Sequence, residues 1–385
     1  MKVLLTGGGT GGHLYPLLAV AKKIKELHGA EVEFLFVGPT NELSKKILEN
    51  NGIKTQGIVT AKWRRYLSIE NLIDIFKFPV SLIQSLYHVW RFMPDVVFSK
   101  GGFGSVGPTI AARFYWIPIL IHESDAVPGF ANRVMAKIAD KVAISFESSH
   151  AYFNRKKVIL TGNPVRESIH EGAIESARQI FGINESKPVI LVLGGSQGSE
   201  MINRTVVGAL PRLLYSYQII HQVGSGKLKD VDRSAAIEGI KIEHSDYHPF
   251  EYLGDDIVHA YKACDLIISR AGAGTIAEIA AVGKPSILVP LATSANGHQL
   301  FNAYEIARVG GTVILEETNL EKGLLFSRVE GVMSDEEVRR SMAVAIHQFY
   351  YPNASAKIAE GLMYLAKVGN VSGAGILEKE DDSNM

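Results

Sequence analysis

Three glycine-rich runs stand where a strand would hand over to a helix, and phosphate binding is the chemistry such runs can do. The first, Gly7-Gly8-Gly9-Thr10-Gly11-Gly12-His13, fits G-x-G-x-x-G through Gly7, Gly9 and Gly12. The second is Gly101-Gly102-Phe103-Gly104-Ser105-Val106-Gly107-Pro108, and the third is Gly194-Gly195-Ser196-Gln197-Gly198-Ser199. Residues without a Cβ let the backbone turn tightly and approach a phosphate. The helix that follows offers unpaired N–H groups and partial positive charge. One such run can serve helix–strand packing alone. Three at strand ends point to phosphate groups in a central cleft.

Other chemistries compete for the same residues. An NAD site wants an acidic residue at the end of the second strand, to hold the ribose. Here that strand ends Val37-Gly38-Pro39-Thr40-Asn41, with Glu42 only at an apparent helix start, so the reading is demoted. Gly194-x-Ser196-x-Gly198 matches the nucleophile elbow of an α/β hydrolase, with Asp265 and His298 as the acid and base such a triad would need. Asp230-Val231-Asp232 has the D-x-D form that holds a metal on a nucleotide-sugar diphosphate, but it lies in the charged run Lys227-Leu228-Lys229-Asp230-Val231-Asp232-Arg233 and reads as surface charge pairing. None of the 12 His residues falls in H-E-x-x-H or another tight cluster, so no metal site and no cofactor are expected.

Short apolar runs at 3–5, 32–37, 95–98, 117–121, 142–145 and 158–161 read as strands, with helical patterns such as 14–27 and 42–50 between them. Strands alternating with helices imply a parallel sheet covered on both faces. The pattern restarts at 188–193 and continues through 218–223, 266–269, 286–290 and 312–316. A polar, helix-like stretch at 165–187 carries no strand. The fold class is therefore α/β, with two Rossmann-like doubly wound domains at 1–164 and 165–350. A C-terminal helix at 351–368 packs back on the first domain, and an acidic tail at 369–385 is expected to be disordered.

Composition agrees. Lys plus Arg is 40 and Asp plus Glu is 40 in 385 residues, so the formal net charge is zero, which argues against a nucleic-acid partner. Cys264 is the one cysteine, so neither an intramolecular disulfide nor a Cys-based zinc site can form. No window holds about 18 consecutive apolar residues, and the opening apolar run is too short for a signal peptide. A cytosolic protein is expected.

Taken in order, the first glycine run, His122-Glu123, Gly162-Asn163-Pro164-Val165-Arg166, the third glycine run, Arg270-Ala271-Gly272-Ala273-x-Thr275-x-x-Glu278 and His298-Gln299-x-x-Asn302-Ala303 resemble the MurG family of peptidoglycan glycosyltransferases over residues 1–367. The resemblance implies a GT-B fold with the active site in the cleft between its halves. It implies inverting transfer of N-acetylglucosamine from UDP-N-acetylglucosamine to lipid I, an undecaprenyl-diphosphate acceptor, to give lipid II, with no bound metal. It also implies a peripheral place on the cytoplasmic face of the cell membrane, against anionic inner-leaflet lipid, and cell-wall synthesis proteins as candidate partners. Another UDP-sugar glycosyltransferase of the same fold, the hydrolase using Ser196, and a nucleotide sensor without turnover remain the alternatives.

The family's donor contacts carry over residue by residue. The backbone of Ala273, Gly274 and Thr275 matches the part that meets the diphosphate, and Glu278 the acid that binds the ribose. Ser196 matches a hydroxyl near the diphosphate, Arg166 a cation near the nucleotide, and His298 and Gln299 the pair that reads the sugar hydroxyls. Ile257 lies in the segment that meets uracil. Thr10, Gly11 and Gly12 match the first loop, and Asn132 an amide in the cleft. The chain departs from the family at Ser124-Asp125, where Gln-Asn is common, which puts Asp125 beside the sugar.

Displacement at a sugar carbon needs a base for the acceptor hydroxyl. His13 is the first candidate, because an imidazole titrates near neutral pH. Asp125 and Glu123 are held in reserve. Residues 63–92 mix apolar and aromatic groups, among them Trp63, Leu67, Leu72, Ile75, Phe76, Ile83 and Trp90, with Lys62, Arg64, Arg65, Lys77 and Arg91. They read as a lipid-facing patch, with Pro79 dividing the stretch.

Overall fold

The computed structural model describes residues 1–8, 11–29, 31–60, 69–195 and 197–366. The chain divides into two compact units, Met1–Val165 with the segment from Tyr351 onward, and Arg166–Tyr350.

The first unit runs β1 (Lys2–Thr6), α1 (Gly11–His28), β2 (Glu33–Gly38), α2 (Glu42–Asn50), β3 (Lys54–Gly57), α3 (Ile69–Phe92), β4 (Val96–Ser99), α4 (Val106–Phe114), β5 (Ile119–Glu123), α5 (Phe130–Ile138), β6 (Lys141–Ile144) and β7 (Val158–Leu160). Its described strands form one parallel sheet in the order β3-β2-β1-β4-β5-β6-β7. Parallel strands are buried on both faces, so they read as unbroken apolar runs. In β1, Val3 and Leu5 face one core with Leu17, Ile24 and Phe36. Leu4 faces the other, with Val89, Ala112 and Ile121.

The second unit runs α6 (Ile174–Phe181), β8 (Val189–Leu193), α7 (Glu200–Leu213), β9 (Gln218–Gln222), α8 (Leu228–Ile237), β10 (Tyr247–Phe250), α9 (Ile257–Ala263), β11 (Leu266–Ser269), α10 (Ala273–Val282), β12 (Ser286–Leu288), α11 (His298–Arg308), β13 (Val313–Ile314), α12 (Lys322–Met333) and α13 (Glu336–His347). The sheet order is β10-β9-β8-β11-β12-β13, again parallel. The chain then returns to the first unit as α14 (Ala354–Leu365), which lies against α1. Ile358 and Leu362 are fully buried there. A Cβ at Gly361 would stand 3.2 Å from Leu120 Cδ1, so glycine lets the helix sit close to the sheet.

Three details depart from the sequence expectations. The strands β3 and β10 carry no apolar run, because both are sheet edges and only partly covered; Pro249 is tolerated in β10 for the same reason. The C-terminal helix spans 354–365 rather than 351–368, since Tyr351-Pro352-Asn353 forms a turn before it and residues from 367 lie outside those described. Pro79 does not divide α3 but lies inside it. An interior proline costs a helix about 3 kcal/mol. Here it sits on an exposed face, while the opposite face is clamped by small residues: Ser85 Oγ donates to Ser81 O at 2.7 Å, and a Cβ on Gly107 of α4 would stand 2.7 Å from Ser85 Oγ.

Among the described residues no helix is long and apolar enough to cross a membrane.

Candidate functional site

In each unit the chain leaves a central strand in one direction, returns, and continues in the other. The two strands at that reversal are β1 and β4 in the first unit, and β8 and β11 in the second. Loops diverge at such a point, and their strand carboxyl ends leave a crevice for a ligand. All three glycine runs sit there: the first after β1, the second after β4 and the third after β8.

In the first unit His13 lies in the first turn of α1, between the two glycine loops. A Cβ on Gly8 would stand 2.8 Å from His13 Nδ1, and one on Gly102 would stand 3.6 Å from His13 Nε2. The loops approach the imidazole this closely because these positions carry no side chain. Gly101 and Gly102 also have φ of +87° and +85°, a region other residues avoid. Gly11 and Gly12 open α1, and Thr10 lies outside the described residues.

Beneath these loops is a buried polar layer. Glu123 is buried, and its carboxylate accepts from Asp125 N (3.0 Å), Gly129 N (3.2 Å) and Asn132 Nδ2 (2.9 Å). Burial pushes its carboxyl above the ordinary range, and the Asp125 charge adds to this. Glu123 thus holds the 124–129 loop to α5 instead of presenting a carboxylate to a ligand. Asn132 is buried too and supports Gly101 from below; a Cβ there would be 2.3 Å from Asn132 Oδ1. His122 is fully buried, with Nε2 3.0 Å from Gly162 O and 3.2 Å from Ser145 Oγ, and burial holds it well below its ordinary pKa. It is a structural histidine. Asp125, half-buried, is the carboxylate nearer the surface.

In the second unit the residues matched to donor binding converge. Arg166 Nε donates to Glu278 Oε1 at 3.0 Å, and Tyr261 OH donates to Glu278 Oε2 at 2.9 Å. Arg166 Nη1 reaches Gly254 O at 3.4 Å. Both partners of the ion pair are largely sheltered, at 14% and 17% side-chain exposure. Tyr261 is fully buried and, with burial first and the Glu278 charge second, its hydroxyl is held protonated as a donor. Glu278 is the sixth residue of α10, too deep to act as a dipole-capping acid. The N-cap of α10 is Gly272, which supplies no side chain to bond the helix's first amides. Ile257 opens α9, next to Gly254 and so to Arg166.

Gln299 Oε1 accepts from Leu291 N at 3.0 Å, which fixes the loop after β12, and His298 opens α11 beside it. Ser196 lies outside the described residues. The acid of the hydrolase reading, Asp265, is engaged in the sheet: its Oδ2 accepts from Val189 N at 2.8 Å, at the amino end of β8. Asp230 and Asp232 lie exposed on α8, and Arg233 stands 3.8 Å from Asp230. Among the described residues no three His, Cys, Asp or Glu side chains group to hold a metal.

Two further residues tie the site loops together: Gln222, which had no sequence signal, and Arg270, which the sequence showed only as the opening of a motif. Gln222, the last residue of β9, donates to Gly195 O (3.2 Å) and accepts from Leu253 N (3.1 Å), tying the third glycine run to the 253–257 segment. Arg270 follows β11 and donates to Ser199 Oγ (2.6 Å), Val289 O (3.3 Å) and Glu317 Oε1 (2.5 Å). Burial acts against the Glu317 carboxylate, but Arg270 and Ala292 N outweigh it and hold the carboxyl below its ordinary range. Arg270 thereby brackets the loops after β8, β12 and β13.

The chain matches the glycosyltransferase family 28 N-terminal domain over residues 3–144 and the family 28 C-terminal domain over residues 189–358. It is 38% identical over 330 residues to the UDP-N-acetylglucosamine–N-acetylmuramyl-(pentapeptide) pyrophosphoryl-undecaprenol N-acetylglucosamine transferase of Clostridium kluyveri, covering 86% of this chain and 90% of that one. The enzyme of the same name from Legionella pneumophila is 36% identical over 339 residues, 87% and 90% of the two chains. Among solved structures, MurG of Acinetobacter baumannii superposes with a TM-score of 0.72 at 26% identity, over 94% of this chain and 99% of that one. A UDP-GlcNAc 2-epimerase from Neisseria meningitidis, at 16% identity and a TM-score of 0.66 over 94% and 100%, shares the fold.

Proposed function

The chain belongs to glycosyltransferase family 28, in its MurG branch, and from that premise we infer that it moves N-acetylglucosamine from UDP-N-acetylglucosamine to N-acetylmuramyl-(pentapeptide) pyrophosphoryl-undecaprenol, turning lipid I into lipid II. One observation carries the assignment of donor binding to the second unit. The Arg166–Glu278–Tyr261 knot stands on the same helix whose uncapped start, Ala273, Gly274 and Thr275, offers amides to a diphosphate. Glu278 then takes the ribose hydroxyls, Arg166 neutralises charge near the nucleotide, and His298 and Gln299 read the sugar. In the first unit His13 removes the proton of the acceptor hydroxyl, with Asp125 as the reserve. The hydroxyl attacks the anomeric carbon from the face opposite the leaving UDP, so the configuration inverts. Helix-start amides stabilise the charge that grows on the diphosphate.

Incubation with UDP-N-acetylglucosamine and a short-chain lipid I analogue, followed by mass spectrometry, tests this. One added N-acetylhexosamine per acceptor is expected. UDP-sugar binding with no such product would leave only a nucleotide sensor.

The membrane reading rests on three neighbouring helices. α3 packs on α4 and α4 on α5; the helices expose Trp90 (59%), Phe114 (67%) and Phe130 (60%), and the turn after α4 exposes Trp116 (82%), with Arg91, Arg113 and Arg133 also exposed. Lys62, Trp63, Arg64, Arg65 and Leu67 lie outside the described residues, as do the side chains of Leu72, Ile75 and Phe76. Apolar and aromatic groups ringed by cations suit an anionic lipid surface, where each cation is worth about 1 kcal/mol. Co-sedimentation with phosphatidylglycerol vesicles at low salt is expected, with release as salt rises. Protein that stays in the supernatant at low salt would sink this role for the patch.

A further inference from the structure

Two neighbouring backbone amides in the loop after β12 are each taken by a side chain. Leu291 N donates to Gln299 Oε1 of α11 at 3.0 Å, and Ala292 N donates to Glu317 Oε2 at 3.1 Å. A backbone N–H only donates, so the oxygen of the Gln299 amide must face Leu291. Its Nε2 is then the end that can meet a sugar hydroxyl. The other oxygen of Glu317 is engaged as well, accepting from Arg270 Nη2 at 2.5 Å. Both side chains of this ion pair are sheltered, at 13% and 16% exposure.

Arg270 anchors Glu317 to the framework of the second unit. It follows β11 at the strand reversal, and its guanidinium also donates to Ser199 Oγ at 2.6 Å and to Val289 O at 3.3 Å. Ser199 caps α7, accepting from Ile202 N at 3.3 Å. Val289 extends β12, with its N–H on Ser269 O at 2.7 Å. The guanidinium is thus seated on one helix start and one strand end, and Glu317 reaches from it to the loop. That loop turns tightly, closed by Ser294 N on Leu291 O at 3.1 Å. Asn296 and Gly297, at φ of +55° and +66°, then lead into α11 and so to His298 and Gln299. A positive φ outside glycine is costly and persists only where the surroundings hold it.

We propose that Glu317 is a positioning residue that sets sugar specificity: by holding Ala292 N it keeps the 291–292 backbone where Leu291 N orients Gln299, so that Gln299 presents Nε2 to one hydroxyl of the donor sugar. The inference rests on the reading that Gln299 meets that sugar. Without Glu317 the loop shifts, the Gln299 amide turns over freely, and the hydroxyl loses its fixed donor. UDP itself is held as before, because Arg270 keeps its bonds to Ser199 and Val289, and the Arg166–Glu278–Tyr261 knot is a separate set of bonds.

The test measures Kd in the full chain for UDP, for UDP-N-acetylglucosamine and for donors lacking the C3, C4 or C6 hydroxyl of the sugar. It needs no turnover. Wild type should bind at least one deoxy donor about three- to tenfold more weakly than the full donor, the worth of one hydrogen bond. Gln299→Ala identifies the hydroxyl that Gln299 reads, because the penalty for losing it disappears. In Glu317→Ala the same penalty should disappear while Kd for UDP stays at the wild-type value. The Glu317→Ala/Gln299→Ala double variant should match Gln299→Ala alone. Ala292→Pro removes the N–H and leaves the Glu317–Arg270 pair in place. Ala292 is the second residue of the turn, where proline is favoured, and the same loss of the penalty is expected. If Glu317→Ala does not fold, Ala292→Pro decides alone. A penalty that survives in both variants overturns the proposal and leaves Gln299 as the reader. Equal weakening of UDP and of every donor would show packing alone and overturn it too. If wild type binds all the donors alike, the reading of Gln299 fails and the proposal with it. If the penalties behave as expected but no sugar reaches the lipid I analogue, the transfer reading fails and the role of Glu317 stands.

Discussion

His13→Ala lowers turnover by about 10²–10⁴-fold, the usual worth of a positioned general base, and leaves UDP-sugar affinity near wild type. The separation follows from where the residue stands. His13 belongs to the first turn of α1 in the first unit, whereas Arg166, Glu278 and Tyr261 belong to the second. Its ring packs close to Gly8 and Gly102, two positions that carry no side chain. That packing supplies an independent variant. Gly8→Ala places a Cβ 2.8 Å from His13 Nδ1, so the ring must shift, and turnover should fall without loss of the imidazole itself. Single-turnover rates with the donor saturating, together with calorimetric Kd for UDP, separate chemistry from binding. A fall of less than about tenfold in His13→Ala, or one explained by a weaker Kd, removes His13 as the base. Asp125 is then next. Glu123 does not follow, because its two oxygens already accept three N–H donors inside the protein.

The parts of this fold that could be read from the sequence are those fixed by local pattern. β8 is Val-Ile-Leu-Val-Leu, buried at every residue, and its neighbour β11 is also fully buried. Strands covered on both faces announce themselves in this way. The glycine runs were legible too, because their turns leave no room for a Cβ at several positions: one at Gly104 would stand 2.3 Å from Pro39 Cδ, and one at Gly198 2.0 Å from Val223 O. The edges β3 and β10 were not legible. Their ladder comes from one neighbour each, and no apolar run marks them. Pro79 misled because the rule against interior proline is local, while the Ser81, Ser85 and Gly107 contact that holds α3 is tertiary. Within the site, Glu278 and Arg166 were each placed near the nucleotide by motif, but their pairing spans 112 residues of sequence. Lys100 shows the limit most clearly. Next to Gly101 it reads as an ordinary charged loop residue. Its burial depends on acceptors 22, 24 and 63 residues further along, which only the completed sheet brings together. Gln222 escaped notice for the same reason, as did the contacts that Arg270 makes across three loops.

Glu278→Ala weakens UDP binding by about 1.5–3 kcal/mol, the worth of hydrogen bonds to a charged acceptor, which is roughly a ten- to hundredfold rise in Kd. The carboxylate is suited to the ribose because it is already oriented. Arg166 Nε fixes Oε1 and Tyr261 OH fixes Oε2, and each oxygen keeps a lone pair for a second donor. The substitution also strands those two partners. A guanidinium at 14% exposure and a fully buried hydroxyl lose their acceptor, so the folded state should lose about 1–3 kcal/mol as well. Affinity alone therefore does not identify the ribose contact, and a ligand lacking the hydroxyl is needed. Wild type should bind 2′-deoxy-UDP more weakly than UDP. In Glu278→Ala the two ligands should bind alike, because the group that tells them apart is gone. Tyr261→Phe is the matching control: it frees Oε2 without removing the carboxylate, so the preference for UDP should persist while the melting temperature falls. If Glu278→Ala discriminates between the two nucleotides as strongly as wild type does, the ribose is held elsewhere, and Glu278 serves only to anchor Arg166 and Tyr261.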